Sequence, residues 1–425
     1  MFKKIIPFVI GAALILGSCN NGVENNNGYA TTISFSPGEE GKINESLLSL
    51  KNNTCIVLKA GTYKFDNLSM VQLKHILFKG EGSDKTILDF SNQTQGGEGI
   101  RVTNIEDFII SDMTIRESKG DLIKVSNSRD VVFRNLHATW KTADSTSGGY
   151  GIYPVLCTNV LIENCYTEGA SDAGIYVGQS DSAVVRNCRA TRNVAGCEIE
   201  NTTNATVYDN EFYNNTGGFL MFDLPGLSKR GGYVKAYNNY IHDNNHKNFA
   251  KAGSFGTITG VGNVSPGSGV VFLAVSNVEL YNNRIINNNS MGISIASGFT
   301  VDDKAAEKIG PNYFPIAQNI KIYGNTIEMG QAFPQPAYEH QMGKLLVGIE
   351  QQLNALDANR TNKRIPLIMY DGISTNILSK ETKANPDSIC IQQTGDNVFV
   401  NADILNISTP AKWKPTTDMS AFICK

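Results

Sequence analysis

An internal repeat between residues 150 and 225 restricts the fold of this chain more than any other feature. Its template is a short segment in which every second residue is apolar, then a turn, a second segment of the same kind and an Asn. One copy reads Gly174-Ile175-Tyr176-Val177 followed by Ala183-Val184-Val185-Arg186-Asn187, and the pattern returns at Gly196 and Gly218. Repetition at a steady interval indicates supersecondary units stacked in a solenoid, in which each unit contacts its neighbours.

The strand that ends in Asn can be followed along most of the chain. Its marker residues are Asp112, Asn135, Asn164, Asn187, Asn210, Asn239, Asn283 and Asn325, at intervals of 23, 29, 23, 23, 29, 44 and 42 residues. An interval of 23 suits a coil of three short strands, so we predict a three-sheet parallel β-helix. The longer intervals place loops at 142–149, 224–232, 246–267 and 299–315. Inward Asn side chains at one turn should form a structural ladder with no catalytic role.

The N-terminal residues resemble a bacterial lipoprotein signal. Lys3 and Lys4 precede an apolar run that is too short to span a bilayer, and Leu-Gly-Ser-Cys ends at Cys19. We therefore expect a signal peptide at 1–18, lipid attachment at Cys19 and an exported protein held at the outer membrane or cell surface. The alternative is an ordinary signal peptide with a chance Cys.

The remaining chain divides into a flexible tether at 19–30, the β-helix at 31–334 and a C-terminal cap or degenerate coils at 335–425. Ile43, Leu47, Leu48 and Leu50 have helical spacing, which predicts a short helix that covers the first coil.

The cysteines and the net charge limit partners and cofactors. Cys390 and Cys424 are predicted to form a disulfide, which an exported protein permits, whereas Cys165 and Cys188 should stack as small apolar residues. The net charge of −3 disfavours nucleic acid. No cluster with the spacing of a metal site occurs, so we expect no cofactor. Ca²⁺ at acidic turns is the alternative.

Several unbroken strings carry a resemblance to a known family. They include Ser171-Asp-Ala-Gly-Ile-Tyr-Val-Gly-Gln-Ser180, Glu198-Ile-Glu-Asn201 and Phe222-Asp-Leu-Pro-Gly226. These strings resemble exported bacterial proteins with parallel β-helix repeats, and the first coils resemble pectate-lyase-like β-helices. The resemblance implies a right-handed parallel β-helix. It transfers no catalytic residues, because the family has no established activity.

One column of outward side chains is the main functional signal. If Ile175 and Val177 point inward, the column contains Arg101, Lys124, Tyr153, Tyr176, Glu198 and Leu220. We predict catalytic roles for Lys124, Tyr153, Tyr176 and Glu198. The substrate-binding residues are predicted to be Arg101, Trp140, Tyr150, Asp172, Gln179, Glu200, Asn201 and Asp223.

Two functions are compatible with this column. Cations could neutralise a uronate while Tyr or Lys acts as acid or base, and Glu198 with Asp172 or Asp223 could hydrolyse a glycosidic bond. The first hypothesis is therefore a surface-anchored lyase, epimerase or hydrolase that acts on an extracellular, anionic polysaccharide. The second is a non-catalytic surface protein that binds a glycan or a protein partner, and an ordinary polar outer face is the plainer interpretation.

Overall fold

The computed structural model describes residues 28–251, 260–379 and 382–424. The predicted signal peptide, Cys19 and most of the predicted tether lie outside the described residues. Neither of the two α-helices described here is long and apolar enough to cross a membrane.

The chain winds into coils, and successive coils add parallel strands to three sheets. Strands are numbered in chain order. Sheet 1 contains β4 (Leu68–Val71), β7 (Glu98–Thr103), β9 (Asp121–Ser126), β11 (Ile152–Val155), β14 (Ala173–Gly178), β17 (Ala195–Glu200), β20 (Gly217–Phe222), β23 (Ser268–Leu273), β26 (Met291–Ala296), β29 (Ile368–Tyr370) and β31 (Phe399–Asn401).

Sheet 2 follows sheet 1 in most coils. It contains β1 (Thr31–Phe35), β2 (Thr54–Leu58), β5 (Lys74–Lys79), β8 (Glu106–Arg116), β10 (Arg129–Thr139), β12 (Thr158–Glu163), β15 (Asp181–Arg186), β18 (Thr203–Tyr208), β21 (Val234–Tyr237), β24 (Ser276–Tyr281), β27 (Gln318–Tyr323) and β30 (Cys390–Gln392).

Sheet 3 is built from shorter strands. They are β3 (Gly61–Lys64), β6 (Thr86–Asp89), β13 (Tyr166–Glu168), β16 (Arg189–Thr191), β19 (Glu211–Tyr213), β22 (Tyr240–His242), β25 (Arg284–Ile286) and β28 (Thr326–Glu328). The long strands β8 and β10 bend at Asp112 and Asn135 and contribute to both sheet 2 and sheet 3.

The inward side chains of the three sheets form one apolar core along the solenoid axis. Ile123, Ile152, Ile175, Cys197 and Phe219 occupy one inward row of sheet 1 and are all fully buried. Because parallel pairing keeps the register from coil to coil, side chains that are distant in sequence are brought into contact. The predicted parallel β-helix is therefore confirmed.

One helix covers the first coils, and a second packs on the outer face of sheet 1. Helix α1 (Glu40–Leu48) buries Ile43 and Leu47 against the first coils, as predicted, but Leu48 is exposed because it lies on the opposite side of the helix. Helix α2 (Gln341–Leu356) packs on a separate apolar cluster that includes Met291 and Met369 of sheet 1. Beyond α2, strands β29, β30 and β31 still extend sheets 1 and 2.

The Asn ladder exists, but the marker residues predicted from the sequence belong to two adjacent positions of the turn. Asn164 and Asn187 have left-handed φ angles of 55° and 53°, and the equivalent residue in the next coil is Asp209. The inward position follows one residue later and is occupied by Cys165 and Cys188 before the Asn residues begin. The shift by one residue arises because the coil from Asn187 to Asp209 is one residue shorter than the preceding coil.

The inward ladder therefore runs through Asn210, Asn239, Asn283 and Asn325. The side-chain amide of each of the first three donates to the side-chain carbonyl oxygen of the next Asn at 2.9 Å. A second ladder, which the sequence analysis missed, links Asn193, Asn215, Asn244 and Asn288 at the turn before sheet 1. Both ladders are buried and satisfy backbone groups that the turns leave unpaired.

The cysteines occupy the positions expected for structural residues. Cys390 and Cys424 form a disulfide with a Cα–Cα distance of 4.7 Å. Cys165 and Cys188 are buried neighbours in consecutive coils, and their thiols contact backbone carbonyl oxygens.

Candidate functional site

The outer face of sheet 1 carries the predicted column in the predicted order. The strand register pairs Arg101 with Lys124, Lys124 with Tyr153, Tyr176 with Glu198, and Glu198 with Leu220. Two residues further along each strand, a second outward row contains Gly178, Glu200 and Phe222. The chemistry along this face changes from charged in the first coils to aromatic and acidic in the middle and apolar towards the C terminus.

Six side chains in the middle of this face form what we call the carboxylate–tyrosine cluster. Its members are Tyr150, Tyr153, Asp172, Tyr176, Glu198 and Glu200. The exposed fractions of Tyr176 and Glu198 are 4% and 2%, and Asp172 and Glu200 are also buried. Strands β11, β14 and β17 and the turns before them position these groups on three consecutive coils, which lie about 4.8 Å apart.

The three tyrosine rings pack against one another. Ring centroids lie 4.5 Å apart for Tyr150 and Tyr153, 4.6 Å for Tyr150 and Tyr176, and 4.9 Å for Tyr153 and Tyr176. The last pair is perpendicular, with an interplanar angle of 89°. Such edge-to-face packing is favourable for aromatic rings and holds each phenol in one orientation.

Tyr176 reaches across its own strand to Glu200. Its hydroxyl donates a hydrogen bond of 2.5 Å to Glu200 Oε1. The ring lies over Gly178, where a Cβ atom would come within 2.3 Å of the Tyr176 ring. Gly178 is therefore required for this contact, since any larger side chain would occupy the space of the phenol.

Burial and mutual repulsion favour the neutral forms of the carboxyl groups. Desolvation, followed by the charge of Glu200, raises the pKa of Glu198 well above its ordinary value. Desolvation also raises the pKa of Asp172 well above its ordinary value, although a hydrogen bond from Tyr150 opposes the shift. Burial raises the pKa of Glu200, but here the Tyr176 hydroxyl stabilises the carboxylate. Of the three acids, Glu200 is therefore the one that ionises most readily, whereas Asp172 and Glu198 hold protons more strongly.

Two carboxyl oxygens of the cluster are buried and have no hydrogen-bond partner among the described residues. They are Asp172 Oδ1 and Glu198 Oε2. Buried polar atoms are normally satisfied, so each exception calls for a partner or another explanation. Unpaired oxygens on two acids of one cluster are consistent with contacts to a substrate.

The charged end of the face includes an acid that the sequence analysis missed. Asp121 accepts a hydrogen bond from the Tyr150 backbone N–H at 3.1 Å, and burial raises its pKa to about 6. The Lys124 ammonium lies 3.7 Å from Glu98 and 4.6 Å from the centre of the Tyr153 ring. Arg101 is exposed. The only signal for Asp121 in the sequence was its position in the same register row as Glu98.

The loop between β22 and β23 packs on the cluster from outside. Its residues Phe249, Ala250, Val261 and Val264 belong to the same apolar cluster as Tyr176. The Asn248 side-chain amide donates to the carbonyl oxygens of Val261 and Val264, at 2.9 Å each, and thereby holds the two described ends of the loop together. The apolar contacts of this loop help to bury Tyr176, while Tyr150 and Tyr153 stay partly exposed at the edge.

Besides Arg101, which is exposed at the charged end of the face, four residues that were predicted to bind substrate lie outside the cluster. Trp140 was expected to line the groove but is enclosed in the apolar core, where its indole N–H donates to the Ser118 carbonyl oxygen at 2.7 Å. Its predicted position is corrected because the loop after β10 folds over the ring, as the contact with Gly148 shows.

The other three residues hold the loop after β20. Gln179 accepts hydrogen bonds from Ser228, and Asn201 contacts the Leu224 and Lys229 backbone. Asp223 accepts from the Gly231 N–H and lies 3.5 Å from Arg230, and burial raises its pKa to about 7.

No group of three or more His, Cys, Asp or Glu side chains within the described ranges is arranged to hold a metal ion. The acids of the cluster are instead adjacent to phenol rings and apolar side chains. What this arrangement can provide is proton donation and acceptance in a site sheltered from water.

Comparison with known proteins identifies the handedness of the coil. A family model described as the right handed beta helix region matches residues 98–230 and 141–303. No curated protein is significantly similar to the chain.

Several solved structures are similar to this chain at low sequence identity. The A-module of an Azotobacter vinelandii mannuronan C-5 epimerase is 15% identical, with 68% of this chain and 86% of that chain covered and a TM-score of 0.44. An alginate lyase from Paenibacillus sp. is 15% identical, covering 71% of this chain and 96% of that chain, with a TM-score of 0.40. A pectate lyase is 14% identical, covering 71% and 77%, with a TM-score of 0.44.

Proposed function

Because this chain is a right-handed parallel β-helix protein, whose sheets align side chains from successive coils, we propose that it modifies an extracellular polysaccharide at the carboxylate–tyrosine cluster. The observation that carries the proposal is the burial of Asp172, Glu198 and Glu200 in one group, with two of their oxygens unpaired among the described residues. Several carboxyl groups buried close together destabilise a fold. Such groups are found mainly at functional sites, so their presence here supports a functional role.

Hydrolysis is the reaction that these groups support best. A protonated Glu198 would donate its proton to the glycosidic oxygen as the bond breaks, and ionised Glu200 would accept a proton from the attacking water. This step requires the two carboxyl groups, which lie within hydrogen-bond reach of each other without substrate, to separate on opposite sides of the sugar. The reaction then consumes one water and returns both acids to their starting forms after proton exchange. The pKa shifts support this division, because Glu200 receives the Tyr176 hydrogen bond that stabilises its anion.

β-Elimination and epimerisation receive less support from the same residues. Both reactions need a base that removes the proton at the α-carbon of a uronate, a role for which Lys124, Tyr153 and Tyr176 were predicted. Burial raises the pKa of Tyr176 well above its ordinary value, and the neighbouring acids raise it further. A neutral phenol is a poor base, so we favour Tyr176 as the group that orients Glu200.

The proposed substrate is an anionic chain that lies along the sheet-1 face. Exposed Arg101 would neutralise an acidic sugar near the charged end, and the partly exposed Tyr153 ring offers an apolar surface to a sugar ring. The proposal includes export and a lipid anchor on Cys19 at the outer membrane or cell surface, on the basis of the N-terminal residues.

A second candidate function is non-catalytic binding of a glycan or a surface protein. The observation that favours it is the loop packed against Tyr176 together with the burial of Glu198, which leaves Arg101, Lys124 and Tyr153 as the accessible part of the face. In this alternative the buried acids would contribute to structure alone.

Turnover on a panel of polysaccharides, including uronate polymers, separates the two functions. We expect new reducing ends from at least one polymer, with Glu198→Gln lowering the rate roughly 10²–10⁴-fold and Tyr176→Phe about tenfold or more. Glu328→Gln, an exposed acid on sheet 3, is the matched control and should retain full activity. Binding without turnover by the parent protein would favour the second function.

A further inference from the structure

A partly open apolar cavity lies next to the carboxylate–tyrosine cluster on the same face of sheet 1. Its volume is about 70 Å³, and its lining includes Phe222, Val264, Val271, Leu273, Met291 and Leu346. These residues come from sheet 1, the loop after β22 and helix α2. Proteins are normally close-packed, so a cavity that elements from three parts of the chain surround without filling is a candidate ligand pocket.

The strand register fixes the position of the cavity relative to the acids. Phe222 pairs with Glu200, and Leu273 pairs with Phe222 on the following strand. One wall of the cavity therefore begins one coil beyond Glu200, at a distance of about 4.8 Å along the stack. A substituent on a sugar held at the acids is within reach of it.

One hydroxyl group is available inside this apolar lining. Ser294 has an exposed fraction of 8%, lines the cavity and occupies the outward row between Val271 and Met369. Its hydroxyl makes no hydrogen bond to the residues that the structure describes. The other three hydroxyls of the lining are engaged: Thr300 donates to Asp371, and Ser268 and Ser265 donate to the backbone carbonyl oxygens of Ser265 and Pro266.

The size of the cavity and its single hydroxyl limit what it can hold. An apolar cavity of about 150 Å³ accommodates benzene, so one of about half that volume suits a group of two or three heavy atoms. A methyl group would bury against Phe222 and Leu273, and a carbonyl oxygen would accept a hydrogen bond from Ser294. Those two requirements describe an acetyl group.

We propose that this cavity is a binding pocket for an acetyl group carried by the polysaccharide, present as an O-acetyl ester or as an N-acetyl amide. This inference rests on the proposed function, since it assigns the substrate class of the same site. The pocket selects the substrate and takes no part in bond breaking.

Binding is measured with each polysaccharide of the panel in acetylated form and after alkaline removal of the ester, and with a polymer of N-acetylhexosamine. We expect the acetylated ester or the N-acetyl polymer to bind at least tenfold more tightly than the deacetylated chain. The polymer that binds more tightly shows whether the pocket takes an O-acetyl ester or an N-acetyl amide. Val271→Phe, which fills the cavity, should abolish the difference. Ser294→Ala should reduce it about fivefold.

Matched controls come from the first strand of the same sheet. Val71→Phe and Ser69→Ala make the same changes at exposed positions of β4 and should keep the preference. Xenon binding in crystals of the parent and its loss in Val271→Phe test the cavity independently of any sugar.

Each outcome separates this inference from the proposed function. Turnover with equal affinity for both forms overturns the acetyl pocket and leaves catalysis in place. Acetyl-dependent binding without turnover supports the pocket and overturns catalysis. Absence of binding to every polymer overturns both.

Discussion

Glu198 is an outward-facing glutamate on a β-strand, yet only 2% of its surface is exposed. In water its carboxyl would be ionised at neutral pH and would carry no special chemistry. Enclosed beside Glu200 and Asp172, it gains a strong preference for the neutral form, which is the form that a general acid needs. The same burial reduces stability at high pH, because the three acids repel one another once they ionise.

The protonation of Glu198 and Asp172 predicts how stability changes with pH. Their pKa values are raised in the folded state, so their contribution is fully present below the unfolded values, near pH 4, and is lost as the pH rises through the folded values. We expect the Tm to fall as the pH rises above about 4, and the double variant D172N/E198Q to lose about half or more of that fall. Thermal unfolding at a series of pH values measures this. Glu328→Gln should leave the slope unchanged, and an equal slope in the double variant would show that the acids titrate normally.

The turn between sheets 2 and 3 shows how two neighbouring positions acquire different roles. At the left-handed position, Asn164, Asn187 and Asp209 adopt positive φ angles, for which Asn and Asp are better suited than most residues. At the next position the side chain points inward, and Cys165, Cys188 and Asn210 follow one another. Asn residues serve both positions for different physical reasons, so spacing alone could not separate them.

Asn239 lies in the middle of the inward ladder, and its removal should be costly. It accepts from the backbone and side chain of Asn210 and donates to Asn283 and to the Val207 carbonyl oxygen. We expect Asn239→Ala to lower the free energy of unfolding by about 2–4 kcal/mol, because several buried polar groups lose their partner. Urea denaturation measures the loss.

The neighbouring residue provides the control for the ladder. Asn238 is exposed and has a φ of 55°, so Asn238→Gly retains the backbone conformation and should change the free energy of unfolding by about 1 kcal/mol or less. A similar loss in both variants would mean that the turn conformation matters and the ladder does not.

The whole molecule is a one-dimensional stack that needs protection at both ends. Helix α1 covers the first coils, and the Cys390–Cys424 disulfide ties the last described residues to strand β30 of sheet 2. Since each coil contacts mainly its neighbours, a defect at one end should open that end without melting the middle.

Removal of the disulfide tests this local behaviour. The variant in which Cys390 and Cys424 are both replaced by Ser should lower the free energy of opening of the C-terminal coils by about 2–4 kcal/mol, because the open segment gains conformational freedom. Hydrogen exchange should accelerate at β30 and β31 and stay unchanged at β14 and β17. Uniform acceleration along the stack would contradict the one-dimensional description.

The repeat in the sequence was sufficient to predict the coil, the parallel sheets, the long loops and the outward column from Arg101 to Leu220, because period-two alternation within a strand and a regular coil length follow from local geometry. The lengths of the coils also located the turns, to within one residue at the Asn ladder. The disulfide followed from the positions of the last two cysteines.

The chemistry of the site was decided by tertiary structure. Whether Glu198 is a solvated surface acid or a buried proton donor depends on what packs over this face, which includes a loop that begins more than forty residues later in the chain. The enclosure of Trp140, the contact of Tyr176 with Glu200 across Gly178 and the cavity beside Ser294 likewise depend on which elements meet in space. Burial sets the pKa values and the accessible space, and burial is a property of the packed chain.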